Sequence, residues 1–110
     1  MPVSSRVRIE ALVDDLGGRA EAARTLGVDR SRITRWLQDE EPDKHNLRRV
    51  ESVEIVLARL LRIYPRETAL KWLAGFNAHL GDRRPLDLLR AGRLSDVLDA
   101  LDAEEAGSFA

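Results

Sequence analysis

At 110 residues the chain can bury one compact core and leaves no room for two full-size domains. With 44% hydrophobic and 34% charged residues it reads as globular rather than disordered, and the absence of cysteine excludes disulfides, iron–sulfur clusters, thiolate zinc sites and a cysteine nucleophile. Eighteen basic and nineteen acidic residues leave a net charge of -1, which as a bare sum argues against a strongly basic nucleic-acid binder.

The opening run Met1-Pro2-Val3-Ser4-Ser5-Arg6 has no apolar signal-peptide core, and no stretch approaches bilayer-spanning length. With the missing cysteines, this sets the expectation of a cytoplasmic protein with no membrane partner. No period-two alternation marks a strand and no Asn-Gly or Asp-Gly pair marks a hairpin, so an all-α fold is expected. Ile9, Leu12, Val13 and Leu16 fall at i, i+3, i+4 and i+7, one face of a first helix that Gly17-Gly18 ends. Arg19 to Leu26 forms a short second helix with Ala22, Ala23 and Leu26 inward, closed by Gly27. The Asp29 carboxylate can accept from exposed backbone N–H groups and cap a third helix, which turns Ile33, Trp36 and Leu37 inward.

The acidic, proline-broken run Asp39-Glu40-Glu41-Pro42-Asp43 is the expected linker between two modules, 1–43 and 44–110. The longest helix, Asn46 to Tyr64, carries a stripe of Val50, Val53, Leu57, Leu60, Leu61 and Tyr64. Ile55, Val56 and Ile63 widen that stripe beyond one face, so part of it is expected to be covered by another chain, as in a homodimer. Pro65 ends this helix and starts one holding Ala69, Leu70, Trp72 and Leu73. Gly75 and Gly81 bracket an irregular stretch, Pro85 occupies the first turn of a helix ending at Arg90, and Ser95 caps a seventh helix with Val97, Leu98 and Leu101.

Residues Arg19 to Gln38 read R-A-E-A-A-R-T-L-G-V-D-R-S-R-I-T-R-W-L-Q. A helix-turn-helix needs a small residue where its helices cross, a residue tolerant of positive φ in the turn, and an apolar residue locking the second helix onto the first. Ala23, Gly27 and Ile33 supply these, with Leu26, Val28 and Trp36 around them. The segment resembles the helix-turn-helix of Xre-type regulators. Its exposed face carries Arg30, Ser31, Arg32, Thr34 and Arg35, side chains that pair with base edges and phosphates, so these are the expected contacts to operator DNA.

Residues Trp72 to Gly92 read W-L-A-G-F-N-A-H-L-G-D-R-R-P-L-D-L-L-R-A-G. Through Trp72-Leu73, Asn77, Leu80-Gly81, Pro85-Leu86, Leu88-Leu89 and Gly92 this block resembles the toxin-binding domain of the Xre/MbcA/ParS antitoxins. Taken alone, Trp72, Leu80, Leu86 and Leu89 read as core. The resemblance implies an antitoxin encoded beside a RES-domain toxin, an enzyme that consumes NAD. Such an antitoxin binds the toxin, blocks its active site and represses its own operon. Asn77, Arg83 and Arg84 are the expected loop contacts, and the tail Gly107, Ser108, Phe109 and Ala110 the expected plug. Residues 96–110 hold five acids and no base, suited to a pocket built for a dinucleotide pyrophosphate.

The competing reading is a stand-alone dimeric helix-turn-helix transcription regulator. No nucleophile–base–orienter set and no phosphate loop is readable, and His45 and His79 are isolated, so neither an enzyme nor a metal or other cofactor is expected. Divided along the chain, the charge is +2 over 1–38, -4 over 39–43, +4 over 44–66 and -3 over 67–110. The near-zero sum therefore hides a mildly basic first module and does not exclude DNA.

Overall fold

The computed structural model describes residues 4–108. Seven α-helices follow one another: α1 Ser5–Leu16, α2 Arg19–Leu26, α3 Arg30–Trp36, α4 Lys44–Leu60, α5 Arg66–Ala74, α6 Pro85–Arg90 and α7 Leu94–Ser108. A short 3-10 turn, Ala78–Leu80, lies between α5 and α6, and one isolated antiparallel bridge joins Asn77 to Arg83. The expected all-α architecture is the observed one. The chain divides into two compact units, with the boundary between Val50 and Glu51, inside α4.

In the first unit the Ser4 hydroxyl accepts from the Val7 N–H at 3.3 Å and starts α1. Gly17, at φ 95°, ends it by donating to the Val13 and Asp14 carbonyls. Helices α1, α2 and α3 pack on one another through Ile9, Leu12 and Leu16, Ala22, Ala23 and Leu26, and Ile33 and Trp36, all buried. Each larger side chain contributes at most about 1.5–3 kcal/mol by leaving water. Leu37, expected inward, is half-buried at the helix end. Asp29 takes the extended N-cap conformation, but its carboxylate makes no capping bond; its main-chain carbonyl accepts from Arg32 and Ile33 instead.

The acidic run is held at both ends. The Gln38 and Glu40 N–H groups both donate to the Arg35 carbonyl at 3.1 Å, and Pro42 is buried. Asp43 then caps α4: its carboxylate accepts from the Asn46 N–H at 2.8 Å and from the Asn46 side chain at 3.2 Å. This cap starts the helix two residues before Asn46.

In the second unit Val53, Val56, Leu57 and Leu60 of α4 are buried, as are Ala69 and Leu73 of α5, Leu80, Pro85, Leu86, Leu88 and Leu89, and Val97, Ala100 and Leu101 of α7. Helix α6 packs on α5 and α7, and α7 also packs on the 3-10 turn. Helix α4 stops at Leu60, short of Tyr64. Proline disfavours helical geometry in the residue before it, so the segment ahead of Pro65 closes in turns, with the Tyr64 and Leu61 N–H groups on the Leu60 and Leu57 carbonyls. Most of the wide apolar stripe of α4 is buried within the chain; Ile55 remains 46% exposed and Leu61 38%. No helix among the described residues is long and apolar enough to cross a membrane.

Candidate functional site

The α2–α3 corner is built as a helix-turn-helix requires. Ala23 is buried at the crossing, Gly27 turns the chain at φ 71°, and Ile33 is fully buried against the first helix pair. Helix α3 brings the five expected DNA contacts onto one short element. Arg30, Ser31 and Arg35 are exposed, while Arg32 and Thr34 are half-buried. Thr34 is already engaged within the chain: its hydroxyl donates to the Arg30 carbonyl and accepts from Arg19 Nη1, both at 3.3 Å. Arg35 Nε lies 3.4 Å from Glu40 Oε2, a solvent-exposed pair of little energetic weight that DNA could displace.

Arg32 borders a shallow recess with the Gly27–Asp29 turn, His45, Asn46 and Arg49. Arg49 donates through Nη1 to the Leu26 carbonyl at 3.3 Å, which satisfies the end of α2, and its Nε is buried without a partner. Sequence reasoning passed over Arg49 and read His45 only as an isolated histidine, although the +4 stretch 44–66 was the available signal. The Asp43 carboxyl is held below the ordinary carboxylate range. The Asn46 backbone N–H is the main cause, opposed by partial desolvation and helped by the Asn46 side chain and by the charges of His45 and Arg32.

In the second unit, the loop after α5 is stitched by its own residues. The Asn77 N–H donates to the Arg83 carbonyl at 3.0 Å, and its carbonyl accepts from Leu80 and Asp82 at 3.0 and 2.9 Å. Its side-chain oxygen accepts from the His79 N–H at 2.9 Å. Gly81 and Asp82 both adopt left-handed backbone, φ 66° and 60°, which reverses the chain. Arg83 Nε donates to the Leu80 carbonyl at 2.7 Å. Arg84 forks onto Asp87 at 2.9 and 3.2 Å, and Arg90 shares that carboxylate at 3.3 Å. The structure thus brings Asn77 and Arg83 together, in bonds that shape the loop. Trp72, read as core, is half-buried, and its indole N–H is buried without a partner. Phe76, which sequence reasoning did not single out, is 80% exposed.

Gly107 and Ser108 form the last turn of α7; Phe109 and Ala110 lie outside the described residues. The acids ahead of them are mostly engaged within the unit. Arg59 of α4 donates to Glu105 at 3.1 Å and to Asp102 at 2.8 Å, the Tyr64 hydroxyl donates to Glu104, and Arg93 pairs with Asp96 at 2.6 Å. Glu105 and then Asp102 raise the Arg59 pKa further above its ordinary value. Asp99 is exposed. Two of these five acids thus tie α7 to Arg59 of α4 and a third ties it to Tyr64 just beyond that helix, a use composition alone did not reveal. No cluster of His, Asp and Glu among the described residues is grouped to hold a metal ion.

Comparison with known proteins adds four findings. Residues 59–107 match the family model of the antitoxin Xre/MbcA/ParS C-terminal toxin-binding domain. The chain is 32% identical over 78 residues to the mycobacterial cidal antitoxin MbcA of Mycobacterium tuberculosis and of Mycobacterium bovis, which spans 70% of this chain and 69% of the relative. It is also 49% identical over 47 residues to an uncharacterised HTH-type transcriptional regulator of Haemophilus influenzae, 42% of this chain and 20% of that one. Among solved structures, a chain from the crystal structure of the M. tuberculosis MbcT–MbcA toxin–antitoxin complex shares the fold, with a TM-score of 0.77 at 24% identity over 96% of this chain and 97% of that one.

Proposed function

Because the chain belongs to the Xre/MbcA/ParS family of antitoxins, we propose that it binds and neutralises a RES-domain, NAD-consuming toxin and represses its own operon through the helix-turn-helix. The observation that carries this reading is the division of labour within 110 residues. A helix-turn-helix with a basic α3 occupies the first unit, and the stretch matched to a toxin-binding domain occupies the second.

On the toxin side, Arg59 and Tyr64 hold the last turns of α7 through Asp102, Glu104 and Glu105. The segment Gly107, Ser108, Phe109 and Ala110 therefore starts from a fixed point, and in this proposal it enters the toxin active site. Asn77 shapes the neighbouring loop, and Arg83 and Arg84 contact the toxin beside it. Deleting Gly107 to Ala110 tests the plug in cells that co-express the chain with the RES-domain toxin encoded beside its gene. Loss of protection with unchanged helical content is the expected result; full protection by the truncated chain contradicts it.

On the DNA side, Arg30, Ser31, Arg32, Thr34 and Arg35 read or position the operator. A chain of net charge -1 gains little from phosphate attraction alone, so the proposal includes two chains on two half-sites. The match to an HTH-type transcriptional regulator supports this half of the reading.

A further inference from the structure

Phe76 is the most exposed of the large apolar side chains among the described residues, at 80% against 46% for Val7 and Ile55. Scattered surface apolar groups need no explanation when they lie half-covered on a helix. Phe76 is different because of what holds it. It follows Gly75 at the end of α5 and precedes Asn77, whose main chain and side chain make four of the bonds that close the 77–83 loop. Arg83 adds a fifth, to the Leu80 carbonyl, and Leu80 itself is buried in the unit's core. The ring is thus presented to water from a braced backbone. A neighbouring backbone braced in this way has little freedom left to lose on binding, which lowers the cost of an energetically dominant contact.

We infer that Phe76 is a preformed aromatic anchor that inserts into an apolar pocket on the toxin surface, outside the toxin active site. The inference rests on the antitoxin reading and adds to it a second attachment point, separate in sequence from the tail. The toxin is the occupant favoured over a second copy of this chain because Phe76 lies within residues 59–107, the stretch matched to a toxin-binding domain. Arg83 and His79 are exposed on the loop that follows Phe76, polar side chains of the kind that edge an apolar contact.

The test is the affinity of the full chain for a catalytically inactivated form of the RES-domain toxin encoded beside its gene, measured by titration calorimetry for wild type, Phe76→Ala and Phe76→Tyr. Phe76→Ala is expected to weaken binding roughly 30-fold or more, with circular dichroism and melting temperature unchanged because the ring is not part of the core. Phe76→Tyr, which keeps the aromatic body, is expected to stay near wild type. Equal affinity of Phe76→Ala and wild type overturns the anchor, as does a loss of self-association with toxin affinity intact, which assigns the ring to a second copy of the chain. If the wild-type chain itself does not bind, the antitoxin reading falls and the anchor falls with it.

Discussion

Asp43 shows how one side chain sets a boundary. Its carboxylate takes the Asn46 N–H, and α4 begins at Lys44 as a result. The same bond depresses the carboxyl below its ordinary value. A depressed carboxylate stabilises the folded state while ionised, and that contribution is lost as the pH falls through the folded-state value. Asp43→Ala is therefore expected to lower the melting temperature at pH 7, with the gap to wild type persisting to pH 5 and narrowing below about pH 4. A gap independent of pH contradicts the capping role. Arg49 shows the converse case, in which a long basic side chain counted only as charge in the sequence supports a helix end through the Leu26 carbonyl.

Helix limits were readable where a glycine or proline stands at the boundary itself, and less so where a side-chain cap or a proline several residues on sets it. Helices α2 and α6 begin and end where the sequence placed them, Arg19–Leu26 and Pro85–Arg90, because Gly18, Gly27 and Pro85 act on their own backbone. Helix α4 was misplaced at both ends, since its start depends on a side-chain cap and its end on the steric reach of Pro65. The acidity of α7 was legible as composition, but its destination was not. Arg59 lies 43 and 46 positions from Asp102 and Glu105, a pairing no local pattern encodes. Arg59→Ala removes two ion pairs from a side chain 26% exposed and is expected to cost roughly 1 kcal/mol of stability. It should raise amide exchange in the last turns of α7, and protection equal to wild type there contradicts the anchoring role. On α3, changing Arg30, Arg32 and Arg35 together to Ala is expected to abolish retardation of operator DNA while leaving toxin affinity unchanged; equal loss of both contradicts the separation of the two surfaces.

For the whole molecule, the near-zero charge sum conceals a segmental arrangement that the structure explains in part. The acidic run 39–43 supplies Asp43 to the start of α4 and Glu40 to a weak surface pair with Arg35, so two of its four charges are used within the first unit. The outward-facing residues of α3 were legible because a seven-residue helix with two buried positions leaves few others to face outward. Phe76 was not legible, since a single exposed ring in an irregular loop has no periodicity to mark it. The surface left on α4 for a second chain is smaller than the sequence suggested, because Val53, Val56, Leu57 and Leu60 are covered within the chain.

The central claim is that this chain neutralises a toxin by stoichiometric binding. Its most direct test mixes the purified full chain with the active form of the proposed partner, a RES-domain toxin, and follows NAD consumption together with the mass of the eluted species. The account predicts a single complex of defined stoichiometry in which NAD consumption stops at the equivalence point. Separate elution of the two proteins with NAD consumption undiminished contradicts it.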